Sequence, residues 1–351
     1  MKNLSAIDLF CGAGGLTAGF IKSGINVTAG YDVEGACKYA YETNNENARF
    51  IQKDVTNVVA DELTNLYPKG DIKLLAGCAP CQPFSTYSHG RDAKQHNKWP
   101  LLYQFSRLIR EVQPELVSME NVPDVTKHEV YRDFVEELKA QNYHVWAEKV
   151  FCPDYGIPQM RSRHVLLASK LGPIKIIKKT HIPAKYKSVR QAIEGLPHLR
   201  SGEQHERDPL HRAAQLSDLN LRRIRASKQG GTWRDWPAEL VAECHKRETG
   251  KTYPGVYARM SWDQPSPTMT TQCFGFGNGR FGHPEQDRAI SLREAAVLQT
   301  FPKSYKFLRR DETLQMSVVG RMIGNAVPPR LGEVIGKSFL CHLKEHYERP
   351  K

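Results

Sequence analysis

Over its first 170 residues this chain alternates short apolar runs with segments of helical period, and that alternation leaves few folds open. Leu4–Phe10, Ile25–Tyr31, Ile72–Ala76, Leu116–Met119 and His164–Ala168 read as strands. Gly15–Ser23, Gly35–Thr43, Leu101–Arg110 and Tyr131–Ala140 read as helices, the last with Phe134, Val135 and Leu138 on one face. Strands separated by helix-length connections pair in parallel, and a parallel sheet is covered on both faces. The spacing predicts an α/β fold with a doubly wound, mostly parallel sheet. From about Gly172 the pattern fails, and Pro, Gly, His and Arg become frequent. The expected organisation is a sheet domain over 1–175, completed by 310–351, and a smaller irregular domain over 176–305. Leu292–Gln299 reads as a helix inside the second domain, and Leu331–Tyr347 has the periodicity to pack back on the first.

The turn between the first strand and the first helix reads Asp8-Leu9-Phe10-Cys11-Gly12-Ala13-Gly14-Gly15. Ligands of open parallel sheets bind at strand carboxyl ends, and glycines let backbone come close to them. The third glycine of a dinucleotide pattern would fall at Thr17, so the turn alone is a weak signal. Asp32 ends the next strand and suits ribose hydroxyls; Asp54 follows the third apolar run and suits an adenine amino group. Acids after three successive strands fit a nucleoside cofactor without a phosphate group. Each acid alone fits an ordinary helix cap equally well.

Gly77-Cys78-Ala79-Pro80-Cys81-Gln82-Pro83-Phe84-Ser85 places a thiol behind a proline at the end of an apolar run. A thiolate is the strongest side-chain nucleophile. Cys78 and Cys81 also fit a C-x-x-C redox pair or half a zinc site. The polar stretch with His89, Arg91, Lys94 and Lys98 reads as a loop where a redox pair would open a helix, and no second pair completes four zinc ligands. Glu120, followed by Asn121 and Val122, ends the neighbouring strand and can meet Cys81 across the sheet edge. Arg161 and Arg163, in Gln159-Met160-Arg161-Ser162-Arg163, share one face of an extended segment suited to phosphate or ring-oxygen contacts.

Charge and cysteine usage bear on partners and compartment. Leu171 to Met260 holds 18 Lys/Arg against 9 Asp/Glu, three-quarters of the formal net charge of +12. Such a segment holds a polyanion or is a solvated surface. No apolar run approaches the roughly 18 residues of a membrane span, and no signal peptide is visible. The eight cysteines are scattered apart from Cys78 and Cys81. They read as reduced thiols in a cytoplasm and not as a disulfide framework.

Taken in order, these segments resemble the cytosine-C5 DNA methyltransferase family of bacterial restriction–modification systems. The resemblance rests on Asp8–Gly15, Pro80-Cys81-Gln82, Glu120-Asn121-Val122 and Gln159–Arg163. Two further blocks carry it: Arg259-Met260-Ser261 with Pro265-Ser266-Pro267-Thr268, and Gly324-Asn325-Ala326-Val327-Pro328-Pro329. It implies methyl transfer from S-adenosylmethionine to C5 of a cytosine flipped out of duplex DNA. It makes Cys81 the nucleophile at C6 and Glu120 the partner of N3, has Arg161 and Arg163 orient ring and adduct, and leaves Cys78 without a role. It lines the cofactor pocket with Phe10, Gly12, Gly14, Asp32, Asp54, Pro80, Leu101, Asn325 and Val327. Val33 stands where some relatives place an aromatic residue against adenine.

The basic domain then resembles a target-recognition region, with Arg222, Arg223, Arg225, Lys228 and Arg234 as DNA contacts. Ser85 joins them in a loop, 85–100, closing over the substrate. A monomer is expected, with a cognate restriction endonuclease sharing the DNA site without direct contact. Three rivals stand beside this reading: methylation of a structured RNA such as tRNA, a catalytically silent DNA-binding relative, and a nicotinamide-dependent oxidoreductase.

Overall fold

The computed structural model describes residues 2–80, 100–252 and 254–348. Two units divide the chain: Met1–Phe151 with Ser162–Lys179 and Val327–Lys351, and Cys152–Arg161 with Thr180–Ala326.

In the first unit, strands β1 (Leu4–Leu9), β2 (Asn26–Asp32), β3 (Arg49–Gln52), β4 (Ile72–Gly77), β5 (Leu116–Asn121), β6 (His144–Phe151) and β7 (Ser162–Ser169) form one sheet. Their order is β3-β2-β1-β4-β5-β7-β6. β1 to β5 are mutually parallel; β7 alone runs antiparallel, between β5 and β6. Helices α1 (Gly15–Ser23), α2 (Lys38–Asn44), α3 (Ala60–Leu66), α4 (Pro100–Val112) and α5 (Glu129–Ala140) connect the strands.

Strand alternation sorts the faces. Ile7 and Leu9 of β1 are buried with Leu63 of α3, Phe105 and Leu108 of α4, and Phe134 and Leu138 of α5. Asp8 points the other way, toward Thr17 of α1. The sheet is therefore covered on both faces. β6 carries no apolar alternation because it is an edge strand, with His144, Glu148 and Lys149 exposed, and charged edges resist stray pairing.

The second unit holds the two-stranded pair β8 (Gln204–His205) and β9 (Asp208–Arg212) and the short helices α6 (Val189–Ile193), α7 (Asp218–Ala226), α8 (Glu243–Lys246), α9 (Glu248–Lys251), α10 (Leu292–Leu298) and α11 (Met316–Asn325). So little regular structure leaves many carbonyls needing donors, and a guanidinium carries five. Buried Arg259 donates to the carbonyls of Ile224, Ser227, His283 and Gln286 at 2.6–3.1 Å. Arg288, fully buried, forms a two-pronged pair with Glu294 at 2.7 and 2.8 Å and also donates to the carbonyls of Leu199 and Ala289. Arg293 grips Asp208 in the same forked way. Part of the basic excess read from the sequence thus serves internal architecture.

Helix α12 (Pro329–Glu348) returns to the first unit and lies against α1. Its His342 shares a 2.7 Å hydrogen bond with Ser169 of β7, on the face opposite the α3–α5 layer. The two helices touch backbone to backbone: a methyl on Gly19 would overlap Pro329, Gly332 and Glu333, and one on Gly332 would come within 2.8 Å of the Leu16 carbonyl. Overpacking of this kind costs about 1–3 kcal/mol. Gly19→Ala should lower unfolding free energy by about that amount in a denaturant titration, whereas Lys22→Ala one turn on should shift it by less than about 1 kcal/mol. Among the described residues, no helix is long and apolar enough to cross a membrane.

Candidate active site

The carboxyl ends of β1, β2, β4 and β5 and the amino end of antiparallel β7 reach the same edge of the sheet. At β1 the chain turns through three left-handed residues, Phe10 (φ 60°), Gly12 (φ 50°) and Gly14 (φ 87°). A Cβ on Gly12 would meet nothing within 4 Å, so this backbone is open to a ligand. The Gly12 amide donates to Asp32 Oδ2 at 2.8 Å, and the Glu34 amide to Oδ1 at 2.9 Å. Asp32 is thereby held at the end of β2 without capping a helix. Asp54 accepts from the Thr56 amide and hydroxyl, both at 2.8 Å, and caps the 3₁₀ turn Val55–Asn57. For Asp54 the capping role is real, and the lone pairs left over remain for a ligand.

Asp8 carries a feature that the sequence reading passed over. It is fully buried, accepts a 2.7 Å bond at Oδ2 from the Thr17 hydroxyl, and has no partner at Oδ1 among the described residues. Thr17 has spent its proton on Asp8, so its 3.1 Å contact with Tyr41 is donated by the tyrosine. Burial is the main force lifting the Asp8 carboxyl to about 7; the nearby Asp32 charge adds to it, and the Thr17 bond opposes it. The only hint in the sequence was an acid between Ile7 and Leu9 in a mostly apolar strand.

Glu120 and Arg163 come together across the β5–β7 pair. Glu120, on β5, is buried, and Arg163 Nε lies 2.9 Å from its Oε1. Arg163 also donates to the Ser162 carbonyl at 2.8 Å. The Asn121 side chain donates through Nδ2 to the Ala79 carbonyl at 3.3 Å, which ties the segment after β4 to the strand bearing Glu120. Cys78, in that segment, has its thiol pushed well up, by burial first and then by the Glu120 charge, so it is held as an unreactive thiol. Cys81 and Ser85, with the rest of 81–99, lie outside the described residues.

Arg161 and Arg163 have different surroundings. Arg161 belongs to the second unit, buried, donating to the carbonyls of Met269 at 3.1 Å and of Gly324 and Ala326 at 3.5 Å. Gln159 braces the same knot through Gln299 and the Met269 amide. Of the remaining pocket residues, Pro80 and Leu101 are in the first unit, with Pro80 exposed. Asn325 ends α11 in the second unit, and Val327 opens the returning segment of the first.

The nominated DNA contacts also divide. Arg222 and Lys228 are exposed, and their head groups have no partner among the described residues. Arg223 donates to the Leu240 carbonyl at 2.9 Å and lies over the rings of Trp236 and Tyr257, so it is part of that unit's core. Arg225 pairs with Asp287 at 3.2 Å, and Arg234 donates to the Lys251 carbonyl at 2.6 Å; both remain exposed.

Residues 4–341 match the family model described as C-5 cytosine-specific DNA methylase. The Type II methylase M.HgiDII of Herpetosiphon aurantiacus is 54% identical over 350 residues, covering 99% of this chain and 98% of that one. The Type II methyltransferase M1.HphI of Haemophilus parahaemolyticus is 30% identical over 343 residues, covering 96% and 87%. In structure, the chain is similar to a protein encoded within an E. coli prophage, with TM-score 0.73 and 22% identity over 98% of this chain and all of that one. It is also similar to the S. pombe Dnmt2 methyltransferase, with TM-score 0.65 and 16% identity over 99% of this chain and all of that one.

Asp8 gives a pH signature with an inverted sign. A carboxyl whose folded pKa is raised binds a proton that the unfolded chain has already lost, so its contribution falls as pH climbs from about 4 to about 7. Asp8→Asn removes that dependence. Relative to the parent, the variant should gain stability with rising pH over this window, by at most about 1.4 kcal/mol per pH unit, and level off above it. Urea titrations of the ligand-free proteins at pH 4.5, 6 and 8 check this, and a constant difference would show that Asp8 ionises normally.

Proposed function

The chain belongs to the C-5 cytosine-specific DNA methylase family and is a DNA cytosine-5-methyltransferase, and we propose that it takes its methyl group from S-adenosylmethionine and modifies one cytosine within a specific duplex sequence. The observation that carries the site assignment is the ion-paired Glu120 at the end of β5, tied through Asn121 to the segment that runs from β4 into Pro80 and Cys81.

The fit to the cofactor rests on the open, left-handed turn at Gly12 and Gly14 and on Asp32 and Asp54 at successive strand ends. Phe10 and Leu101, both half-buried, are suited to supply apolar surface for the cofactor, and Val33, 60% exposed, offers a smaller apolar face just past the end of β2. S-adenosylmethionine, when bound, supplies an electrophilic methyl group on a sulfonium.

Cytosine C5 is a poor nucleophile until something adds to C6. Cys81 supplies a thiolate for that addition, which turns C5 into an enamine carbon able to accept the methyl group. Charge arriving on the ring would build at N3. Glu120 carries a proton to that atom, or holds one there, and keeps the ring neutral. Arg163 fixes the Glu120 carboxylate and, being cationic, is suited to orient the ring oxygen. After transfer a base removes the C5 proton and the thiolate leaves, which restores the aromatic ring and frees Cys81. Arg161, turned into the carbonyl knot of its own unit, serves by holding backbone in place. Extruding the base costs a few kcal/mol.

Arg222 and Lys228 are the side chains best suited to meet phosphates, since their charges are exposed and uncommitted within the described protein. By this reading a cognate endonuclease shares the recognition sequence, as the Type II names of the relatives suggest, and the enzyme acts as a monomer on bacterial nucleoid DNA.

Two measurements test this reading. Incubation with S-adenosylmethionine and duplex DNA bearing 5-fluorocytosine should trap a denaturation-resistant adduct, absent in Cys81→Ser; an adduct that survives the substitution removes Cys81 from its role. Glu120→Gln should lower kcat roughly 10²- to 10⁴-fold with little change in DNA affinity. For the interface, Arg222→Ala and Lys228→Ala should each weaken binding across sequences and reduce the salt slope by about one. Arg223→Ala should instead lower stability, as expected for a core residue.

A further inference from the structure

We propose that Glu62, on α3 and outside the cofactor-contacting set, positions both acids that hold the nucleoside, Asp32 and Asp54, by gripping the residue immediately before each. The proposal rests on the cofactor reading above and adds a residue to it.

The geometry lies entirely within the first unit. Tyr31 precedes Asp32 at the end of β2, is fully buried, and donates its hydroxyl to Glu62 Oε1 at 2.9 Å. Lys53 precedes Asp54 just past β3, and its ammonium lies 2.5 Å from Glu62 Oε2. One carboxylate thus spans two neighbouring strands at the point where each delivers its acid. The Lys53 amide also donates to the Asp32 carbonyl at 3.0 Å, so the two acidic segments are joined along the backbone as well. Beyond Asp54 the turn is pinned from another direction, with Arg107 of α4 donating to the carbonyls of Val55 at 3.3 Å and Val58 at 2.9 Å. With Arg107 holding the far side of Asp54, the freedom left in this stretch is at Lys53, and Glu62 removes it.

Charge gives the arrangement a second purpose. Released from Glu62, a lysine adjacent to Asp54, on a segment bonded to Asp32, would be free to turn its cation toward either carboxylate. A cation within 4–6 Å is strongly attracted to such groups and would occupy the lone pairs that ribose hydroxyls and an adenine amine need. Glu62 offers that ammonium a better partner, with only about a third of either side chain exposed. A glutamine in place of Glu62 could still accept from Tyr31 but has no charge to keep Lys53, so Glu62→Gln isolates the electrostatic part.

The test uses the full-length enzyme with S-adenosylmethionine binding measured directly by calorimetry, alongside steady-state kinetics. Glu62→Gln should weaken binding and raise the KM for S-adenosylmethionine roughly tenfold, with kcat and the KM for DNA within about twofold of the parent. Glu62→Gln combined with Lys53→Met, which removes the stray cation, should recover affinity to within about threefold of the parent. A purely structural defect would not be repaired by deleting a second partner. Tyr31→Phe, nearly isosteric, should weaken binding about threefold and act non-additively with Glu62→Gln. Parent-like binding by Glu62→Gln, or a double variant no better than the single one, overturns the proposal. Asp32→Ala separates the two layers: loss of binding there with normal binding in Glu62→Gln defeats the positioning role alone, whereas normal binding in Asp32→Ala defeats the cofactor reading itself.

Discussion

A carboxylate carried by a central strand into a nearly closed environment needs a cation beside it, and the reversed direction of β7 delivers one. In a wholly parallel sheet every strand arrives at the ligand-binding edge by its carboxyl end. β7 arrives by its amino end, with His164 and Val165 opposite Asn121 and Glu120, so Arg163 lies one residue beyond the last pair and diagonal to Glu120. The Glu120–Arg163 contact at 2.9 Å is the product. Remove the reversal and Arg163 would stand at the opposite edge, leaving Glu120 as an uncompensated buried charge, which is strongly destabilising. The antiparallel strand is therefore a chemical requirement of this site as much as a feature of its topology.

The second unit solves a different problem. Having almost no sheet, it stabilises irregular backbone with buried guanidinium groups: Arg161, Arg259, Arg288 and Arg293 each bind carbonyls, carboxylates or both. A basic composition in such a region has two sources, a surface meant for an anionic ligand and an interior meant to satisfy loops. Arg223 stacks on Trp236 and donates to the Leu240 carbonyl, whereas Arg222 and Lys228 are exposed.

Much of the first unit was legible because its helices and strands obey clear periods. Gly15–Ser23 is a helix with the expected bounds, and Glu120 does close a strand. Two kinds of element escaped. β6 lacks alternation because an edge strand is half solvated, and α11 was hidden by Gly320 and Gly324, which are poor helix formers. Those glycines are there because the helix presses against the backbone of Thr270 and Thr271. Among site residues, Asp32, Asp54, Glu120 and Arg163 were visible as polar groups at strand ends. The contacts of Arg161 and Glu62 were not. The partners of Arg161 lie more than a hundred residues away in sequence, and Glu62 sits in a short helix whose residues carry no motif.

The docking of α12 onto α1 carries a consequence for biogenesis. α1 is translated well before its cover, because the surface that covers Leu16, Gly19 and Ser23 follows the whole intervening unit. At bacterial elongation rates of about 5–20 residues per second that interval is roughly a quarter of a minute to a minute. During it the nascent sheet has one helix with its closest neighbour missing, a state that chaperones recognise. Maturation of the first unit is thus timed by the arrival of residues that contribute no chemistry of their own.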